Sequence, residues 1–286
     1  MIRVLTSGWD SALAALAANA HRELVLCSPF VGEDGVRLIC EHISPSFARN
    51  GHLTFVTNLS VRNVCDLATD PRAVRTLCDS VSRSRVYHLP GLHAKAYVAD
   101  DDVAVVTSAN LTAGGVFRNF ECGVEVREKT CVSSVRHAIS CYADLGALVP
   151  PDRLASYCSA LTAIIDQVTL ARQSAQSAVR RQFSRLLRPV EDDLLRLRLA
   201  GGPIHTVFAR TIEYLLRHVG AMSTVQMHVR IQSLHPDLCD DTIDRVIDGK
   251  RFGKKWKHAV RTAQQQLKKQ GRIELDHGIW RVTQNQ

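Results

Sequence analysis

The chain has 286 residues, 45% of them apolar and 22% charged, with a formal net charge of +8. This length allows one large domain or two ordinary ones, and the balance is that of a soluble globular protein. No run approaches the roughly 20 apolar residues of a bilayer span. Nine cysteines, an odd number with no C-x-x-C pair, argue against a disulfide framework or a zinc site and favour a reducing cytoplasm.

The alanine-rich run SALAALAANA (11–20) superficially resembles a signal peptide ending in A-x-A. Asp10 interrupts its approach and leucine is sparse, so residues 8–21 read as an amphipathic first helix. ELVLCSPF (23–30) follows as a buried strand, GVRLICEHI (35–43) as a helix and HLTFVTN (52–58) as a second strand. PRAVRTLCDSV (71–81) reads as a helix and SRVYHL (84–89) as a third strand. Alternation of this kind predicts a mainly parallel or mixed sheet covered by helices.

Residues 91–112, GLHAKAYVADDDVAVVTSANLT, form the most informative stretch. Ala94, Ala96 and Val98 alternate with His93, Lys95 and Tyr97, the period of a half-buried strand. Val103, Val105 and Thr107 alternate likewise, and the three aspartates between the runs predict a hairpin turn. His93 and Lys95 then share one face, as do Ser108 and Asn110, so the two pairs can converge at one end of a sheet. An acid–base group, a fixed cation and two neutral hydrogen-bonding side chains suit a tetrahedral anion. A stray surface histidine beside an Asx-rich turn is common, and the spacing alone raises this one above that background.

H-A-K, Asp100 five residues after the lysine, and T-S-A-N together resemble the active-site motif of the phospholipase D superfamily: H-x-K-x4-D, then a small residue, Ser, any residue and Asn. Thr107 stands where glycine is common. RNFECGVEV (118–126) resembles the superfamily's downstream strand, whose glutamate is here Glu121. The resemblance covers about residues 1–147 and implies a phospholipase D-like mixed α/β sheet flanked by helices. It also implies metal-independent covalent catalysis with no cofactor. His93 would attack phosphorus, Lys95 and Asn110 would bind the nonbridging oxygens with help from Ser108, and Glu121 would hold the other ring N–H of His93. Asp100 is the motif's remaining member, although a hairpin turn alone explains it. A second histidine is needed and the chain has no second copy of the motif. The resemblance therefore implies a homodimer that assembles one site from two chains.

Pro150–Pro151 punctuates the chain, and a helical pattern then runs from Asp152 to Leu199 with a break at Pro189. Leu154, Cys158, Leu161, Ile164, Ile165 and Val168 make an apolar stripe, and the basic stretch RRQFSRLLRP follows. Residues 151–202 read as a helical linker, either a packing helix or a dimerisation arm, ending in AGGP (200–203). Charge is uneven: residues 1–150 hold 14 Lys and Arg against 15 Asp and Glu, residues 151–286 hold 22 against 13. A basic balance confined to one half points to a polyanion partner for that half.

Residues 203–286 carry helical patterns at 206–219, 223–231 and 239–247, the last with an Asp-rich cap. A longer helix over about 254–270 follows the basic segment GKRFGKK and ends at Gly271, and RIEL, a D-H-G turn and IWRVT predict a terminal hairpin. This order spells a winged helix, and Gly249–Thr283 resembles the N-terminal domain of Mrr-type restriction enzymes. The expected contacts to double-stranded DNA are Lys250 and Arg251 on phosphates and Lys254, Lys255, Lys257, His258 and Arg261 along the recognition helix.

The two resemblances together imply a DNA endonuclease of bacterial restriction or phage defence, without a membrane, and leave open a partner methyltransferase. The alternatives are a phospholipid phosphodiesterase and a non-catalytic DNA-binding regulator, and an RNA target also remains open.

Overall fold

The computed structural model describes residues 2–6, 9–199 and 202–283, the side chains of 163, 179–192 and 194 excepted. It divides into two compact units, residues 1–175 and 176–286.

Unit 1 begins with β1 (Ile2–Leu5), α1 (Trp9–Ala18), β2 (Glu23–Cys27), α2 (Glu33–His42), α3 (Pro45–Asn50) and β3 (His52–Thr57). It continues through α4 (Val61–Cys65), α5 (Pro71–Asp79), β4 (Arg83–His88), β5 (Ala96–Ala99) and β6 (Val103–Thr107). A single π-helical turn (Gly114–Arg118), β7 (Gly123–Val126), α6 (Lys129–Leu145), β8 (Ala147–Val149) and the start of α7 (Pro151–Leu199) complete it. The strands form one sheet in the order β1-β7-β6-β5-β2-β3-β4-β8, parallel across β2, β3 and β4 and antiparallel elsewhere. This is the mixed α/β sheet flanked by helices that the alternation predicts.

Side-chain chemistry explains the layers. β2 is apolar at every position after Glu23, so both its faces must be covered. Leu24 and Leu26 face one core with Trp9, Leu13, Phe55 and Tyr97, under α1, α2 and α5. Val25 and Cys27 face a second core with Val98, Ala104, Val132 and Ile139, under α6 alone. Local caps start the helices: Asp70 accepts the Arg72 N–H with Pro71 following, and Glu128 accepts the Thr130 N–H. The alanine-rich run is a core helix, with Leu13, Leu16 and Ala17 buried. All nine thiols are free.

Asp100 departs from its expected role. It terminates β5 with φ +51, a conformation aspartate tolerates, and its buried carboxylate accepts the backbone N–H groups of His21, Arg22 and Glu23 at 2.9, 2.8 and 2.7 Å. It therefore clamps the β5–β6 hairpin to the start of β2, at the end of β5 away from Lys95.

Leu154, Cys158, Leu161 and Ile165 of α7 are buried, and the Cys158 thiol donates to the Pro71 carbonyl at 3.2 Å. By length and composition residues 151–178 could cross a membrane, which corrects the expectation that no stretch qualifies, although these four side chains pack inside the unit. The side chains of RRQFSRLLRP (180–189) and residues 200 and 201 of AGGP lie outside the described residues.

Unit 2 contains α8 (Ile204–His218), β9 (Met222–Ser223), α9 (Thr224–Leu234), β10 (Asp244–Ile247), β11 (Lys250–Lys254), α10 (Lys255–Lys269), β12 (Ile273–Asp276) and β13 (Ile279–Val282). β12, β13 and β9 form an antiparallel sheet in that order, over a core of Phe208, Ile212, Met227, Trp256, Val260 and Trp280. Ser223 and Gln226 make a capping box at the start of α9.

The helix expected over 239–247 is absent. Asp240 binds the Thr242 N–H and hydroxyl, a local turn, while Asp241 accepts the Trp256 indole N–H. β-Branched residues follow, then Asp248 and Gly249 at φ +49 and +75, the backbone of a tight two-residue hairpin. β10 and β11 are therefore a ribbon.

Replacing Asp100 by Asn should cost about 2–3 kcal/mol, because a charged acceptor of three backbone donors is lost. Burial opposes ionisation of Asp100, but the three N–H groups and Arg22 outweigh it and hold its carboxyl below the usual range. Its stabilisation is then present above the unfolded value near pH ~4 and lost as pH falls through the lower folded value. The gap between thermal melts of wild type and Asp100→Asn should begin to narrow as pH falls below about 4 and close below the lower folded value; a gap constant with pH would contradict this role.

Candidate active site

His93 and Lys95 lie in the extended segment just before β5, which begins at Ala96, so the strand starts after the H-x-K pair rather than within it. The segment still joins the ladder, since the Thr107 N–H donates to the Lys95 carbonyl at 3.0 Å. His93 is exposed, whereas Lys95 is only 8% exposed. The Lys95 ammonium donates to the His93 carbonyl at 2.8 Å and sits 3.3 and 3.4 Å from Nδ1 and Nε2 of its ring. Burial pushes the Lys95 pKa down, and the charge of Glu121 pushes it back up. The Cys27 thiol, which donates to the Ala94 carbonyl at 3.7 Å, is raised by burial to about 12 and is neutral despite Lys95.

Facing this pair, residues 108–111 turn out of β6 under backbone control. The Ser108 N–H donates to the Cys122 carbonyl at 3.0 Å, the Tyr97 hydroxyl to the Ala109 carbonyl at 3.0 Å, and the Leu111 N–H to Ser28 Oγ at 3.0 Å. Thr107 accepts the Ala109 N–H at 2.9 Å, tightening the turn. Two glycines press on it. A Cβ on Gly115 would lie 2.3 Å from the Asn110 carbonyl oxygen, and one on Gly123 would lie 2.8 Å from Thr107 Cβ. The side chain that Thr107 adds to the motif thus fits because position 123 is glycine.

His93, Lys95 and Ser108 line one cleft of about 570 Å³ with Thr107, walled on the other side by Val135, Ile139 and Tyr142 of α6. Asn110 stands two residues beyond Ser108, its Oδ1 buried without a hydrogen-bond partner. Glu121 departs from expectation. Its carboxylate accepts the Ser108 hydroxyl and, at 3.1 Å, the Asn119 amide, and no hydrogen bond to His93 forms. Ser108 also accepts the Cys122 N–H at 3.0 Å, so its single proton is committed to Glu121. Asp100 is outside the cluster. Sequence reasoning missed the α6 wall, although Val132, Val135, Ile139 and Tyr142 recur at helical spacing.

In unit 2, Lys250 and Arg251 lie on the ribbon rather than in a loop. Lys254 pairs with Asp244 at 2.9 Å, and Arg251 with the same carboxylate at 3.7 Å. Lys255 and Arg261 are exposed on α10, and the Lys257 ammonium is 5.3 Å from the centre of the Trp256 ring. His258 is not presented for base reading: its Nε2 lies 2.6 Å from the Phe252 carbonyl oxygen and its Nδ1 3.1 Å from Arg245 Nη1. Among the described residues no three His, Cys, Asp or Glu side chains converge as a metal site.

Residues 13–140 match the family described as "Cardiolipin synthase, PLD-like domain". This stretch is therefore similar to a phospholipase D-like domain, the likeness that its H-x-K and S-x-N motifs imply. Similar solved structures include the phospholipase D family member Nuc from Salmonella typhimurium, at 14% identity over 52% of this chain and 97% of that one, TM-score 0.43. NucT from Helicobacter pylori is similar at 12% identity over 51% and 98%, TM-score 0.39. Phosphatidylserine synthase from Haemophilus influenzae is similar at 12% identity over 59% and 47%, TM-score 0.42. No curated protein sequence matches the chain.

Gly115→Ala should destabilise the chain by about 1–3 kcal/mol, since backbone atoms of Asn110 must move to admit the methyl group. A thermal melt checks this, and a variant melting with wild type would show that the turn adapts.

Proposed function

We propose that the chain is a metal-independent DNA endonuclease acting through a phosphohistidine, with one site assembled from two copies and a winged helix in unit 2 holding the duplex. The observation that carries this is the exposed His93 ring beside the buried Lys95 ammonium, in an open cleft. In the first step a ring nitrogen of His93 attacks phosphorus, and the P–O bond to the leaving oxygen breaks as a second histidine protonates that oxygen. Water then attacks phosphorus, giving its proton to the second histidine, and the P–N bond breaks. A phosphate about 4 Å from Lys95 gains on the order of 4 kcal/mol of gross attraction at an effective dielectric near 20. Two such lysines, one per copy, supply the positive charge, and the partner's equivalent of His93 supplies the second histidine. Asp100 has no part in these steps, and Glu121 acts through Ser108 and Lys95 rather than on the His93 ring.

The order α8, β9, α9, α10, β12, β13 and the sheet β12-β13-β9 support the winged-helix reading. α10 is then the recognition helix, with Lys255, Lys257 and Arg261 toward DNA, Lys250 and Arg251 on phosphates, and His258 as a positioning residue. We place the activity in cytoplasmic bacterial restriction or phage defence, where a partner methyltransferase could protect host sites. A phospholipid phosphodiesterase is the second reading, favoured by the cardiolipin synthase description and by the apolar stretch at 151–178. It leaves unit 2 without a role.

Cleavage of duplex DNA should persist in EDTA, and His93→Ala should lower turnover by more than about a thousandfold while DNA binding stays near wild type. An absolute need for added Mg²⁺, or a variant that still cuts, would refute the mechanism; hydrolysis of phospholipid vesicles with DNA left intact would favour the second reading.

Mixing wild type with excess His93→Ala should form heterodimers with one histidine, so activity should fall faster than simple dilution. A linear fall, or a fully active monomer in sedimentation, would exclude a shared site.

A further inference from the structure

The ribbon β10–β11 carries apolar side chains that its unit does not bury. Val246, Ile247 and Phe252 are 57%, 42% and 50% exposed. Cross-strand register sets Ile247 opposite Lys250, and Phe252 stands two residues beyond Lys250, where the register shifts by one residue between Arg251 and Lys254. Exposed apolar side chains on a two-stranded ribbon do nothing for the stability of the free protein and invite aggregation. The root of the ribbon is nevertheless firmly built. The Lys255 N–H donates to the Ile243 carbonyl at 2.9 Å, and His258 engages both the Phe252 carbonyl and Arg245. The ribbon is thereby fixed against α10.

Charge selects the occupant. From residue 243 to 257 the chain has six Lys and Arg against two aspartates, and Asp244 is already paired with Lys254 and Arg251. Duplex DNA offers about one negative charge per 1.7 Å of axis, with apolar base surfaces between the phosphate rows. Apolar residues flanked by basic ones match that alternation, as they do in proteins that wedge a side chain between base steps. Resting on the duplex-DNA reading above, we propose that β10–β11 is a second DNA-reading element, separate from α10 and from the β12–β13 hairpin. Phe252 enters a groove and partly unstacks a base step, while Lys250 and Arg251 hold the adjoining phosphates.

The test uses the full chain with His93→Ala to prevent cutting, titrated against short duplexes carrying 2-aminopurine at successive positions and at several salt concentrations. The parent should raise 2-aminopurine fluorescence at one or two positions. Phe252→Ala should abolish that rise and weaken binding about tenfold with the salt slope unchanged, and Phe252→Trp should retain both. Lys250→Gln with Arg251→Gln should flatten the slope by about two while leaving the melt of the protein intact. Duplex binding by the parent without a fluorescence rise, or a Phe252→Ala variant that binds and unstacks like the parent, overturns the ribbon proposal alone and assigns this surface to a protein partner. Absence of duplex binding by the parent overturns the DNA reading and the ribbon with it.

Discussion

The candidate site depends on a turn whose main chain is tied down on every side. Residues 107–111 hydrogen-bond through their backbone to Lys95, Cys122, Tyr97 and Ser28. Gly115 and Gly123 let neighbouring chain approach closer than any Cβ would allow. A phosphate clamp gains little if its arms must be ordered when the anion arrives, because fixing a backbone residue costs about 1–2 kcal/mol. Here that ordering is done by the sheet. Tyr97, buried among apolar side chains, spends its hydroxyl on this turn, and Asp100 at the other end of the same strand fixes where the strand lies.

Lys95 is the energetically costly member. Burial disfavours its charged form, and the nearest carboxylate influence comes from Glu121 without a direct ion pair. Glu121 is in turn held by Ser108 and Asn119. The three residues Lys95, Ser108 and Glu121 therefore act as one electrostatic unit rather than as separate contacts. An arriving anion would complete the neutralisation that Glu121 begins. This gives Glu121 a reason to sit where it does without any bond to the histidine.

The parts legible in the sequence are those governed by local periodicity and spacing. The strands of unit 1, the alanine-rich core helix and the meeting of His93, Lys95 and Ser108 follow from alternation and motif order. What was not legible depends on distant backbone. Nothing near Asp100 announces that the donors of residues 21–23 await its carboxylate. β1 is four residues long and exists through pairing with β7, more than a hundred residues away. The stretch 239–247 has the Asp-rich start of a helix, but Asp240 satisfies a turn and Asp241 is taken by Trp256 on α10. Tertiary partners there override a local capping signal.

The uneven charge of the two halves then takes on a physical meaning. The first 150 residues are nearly neutral, so a long polyanion gains little general attraction from them, and the buried Lys95 can bind only a phosphate already delivered to the cleft. Affinity that varies with salt must come from exposed cations, and the ribbon and α10 of unit 2 present Lys250, Arg251, Lys255 and Arg261. An exposed lysine keeps its hydration and attracts weakly but at range, whereas a buried one acts over a few ångströms and strongly. For a duplex substrate, holding and cutting therefore call for differently solvated cations, and the sequence supplies the two kinds in different units.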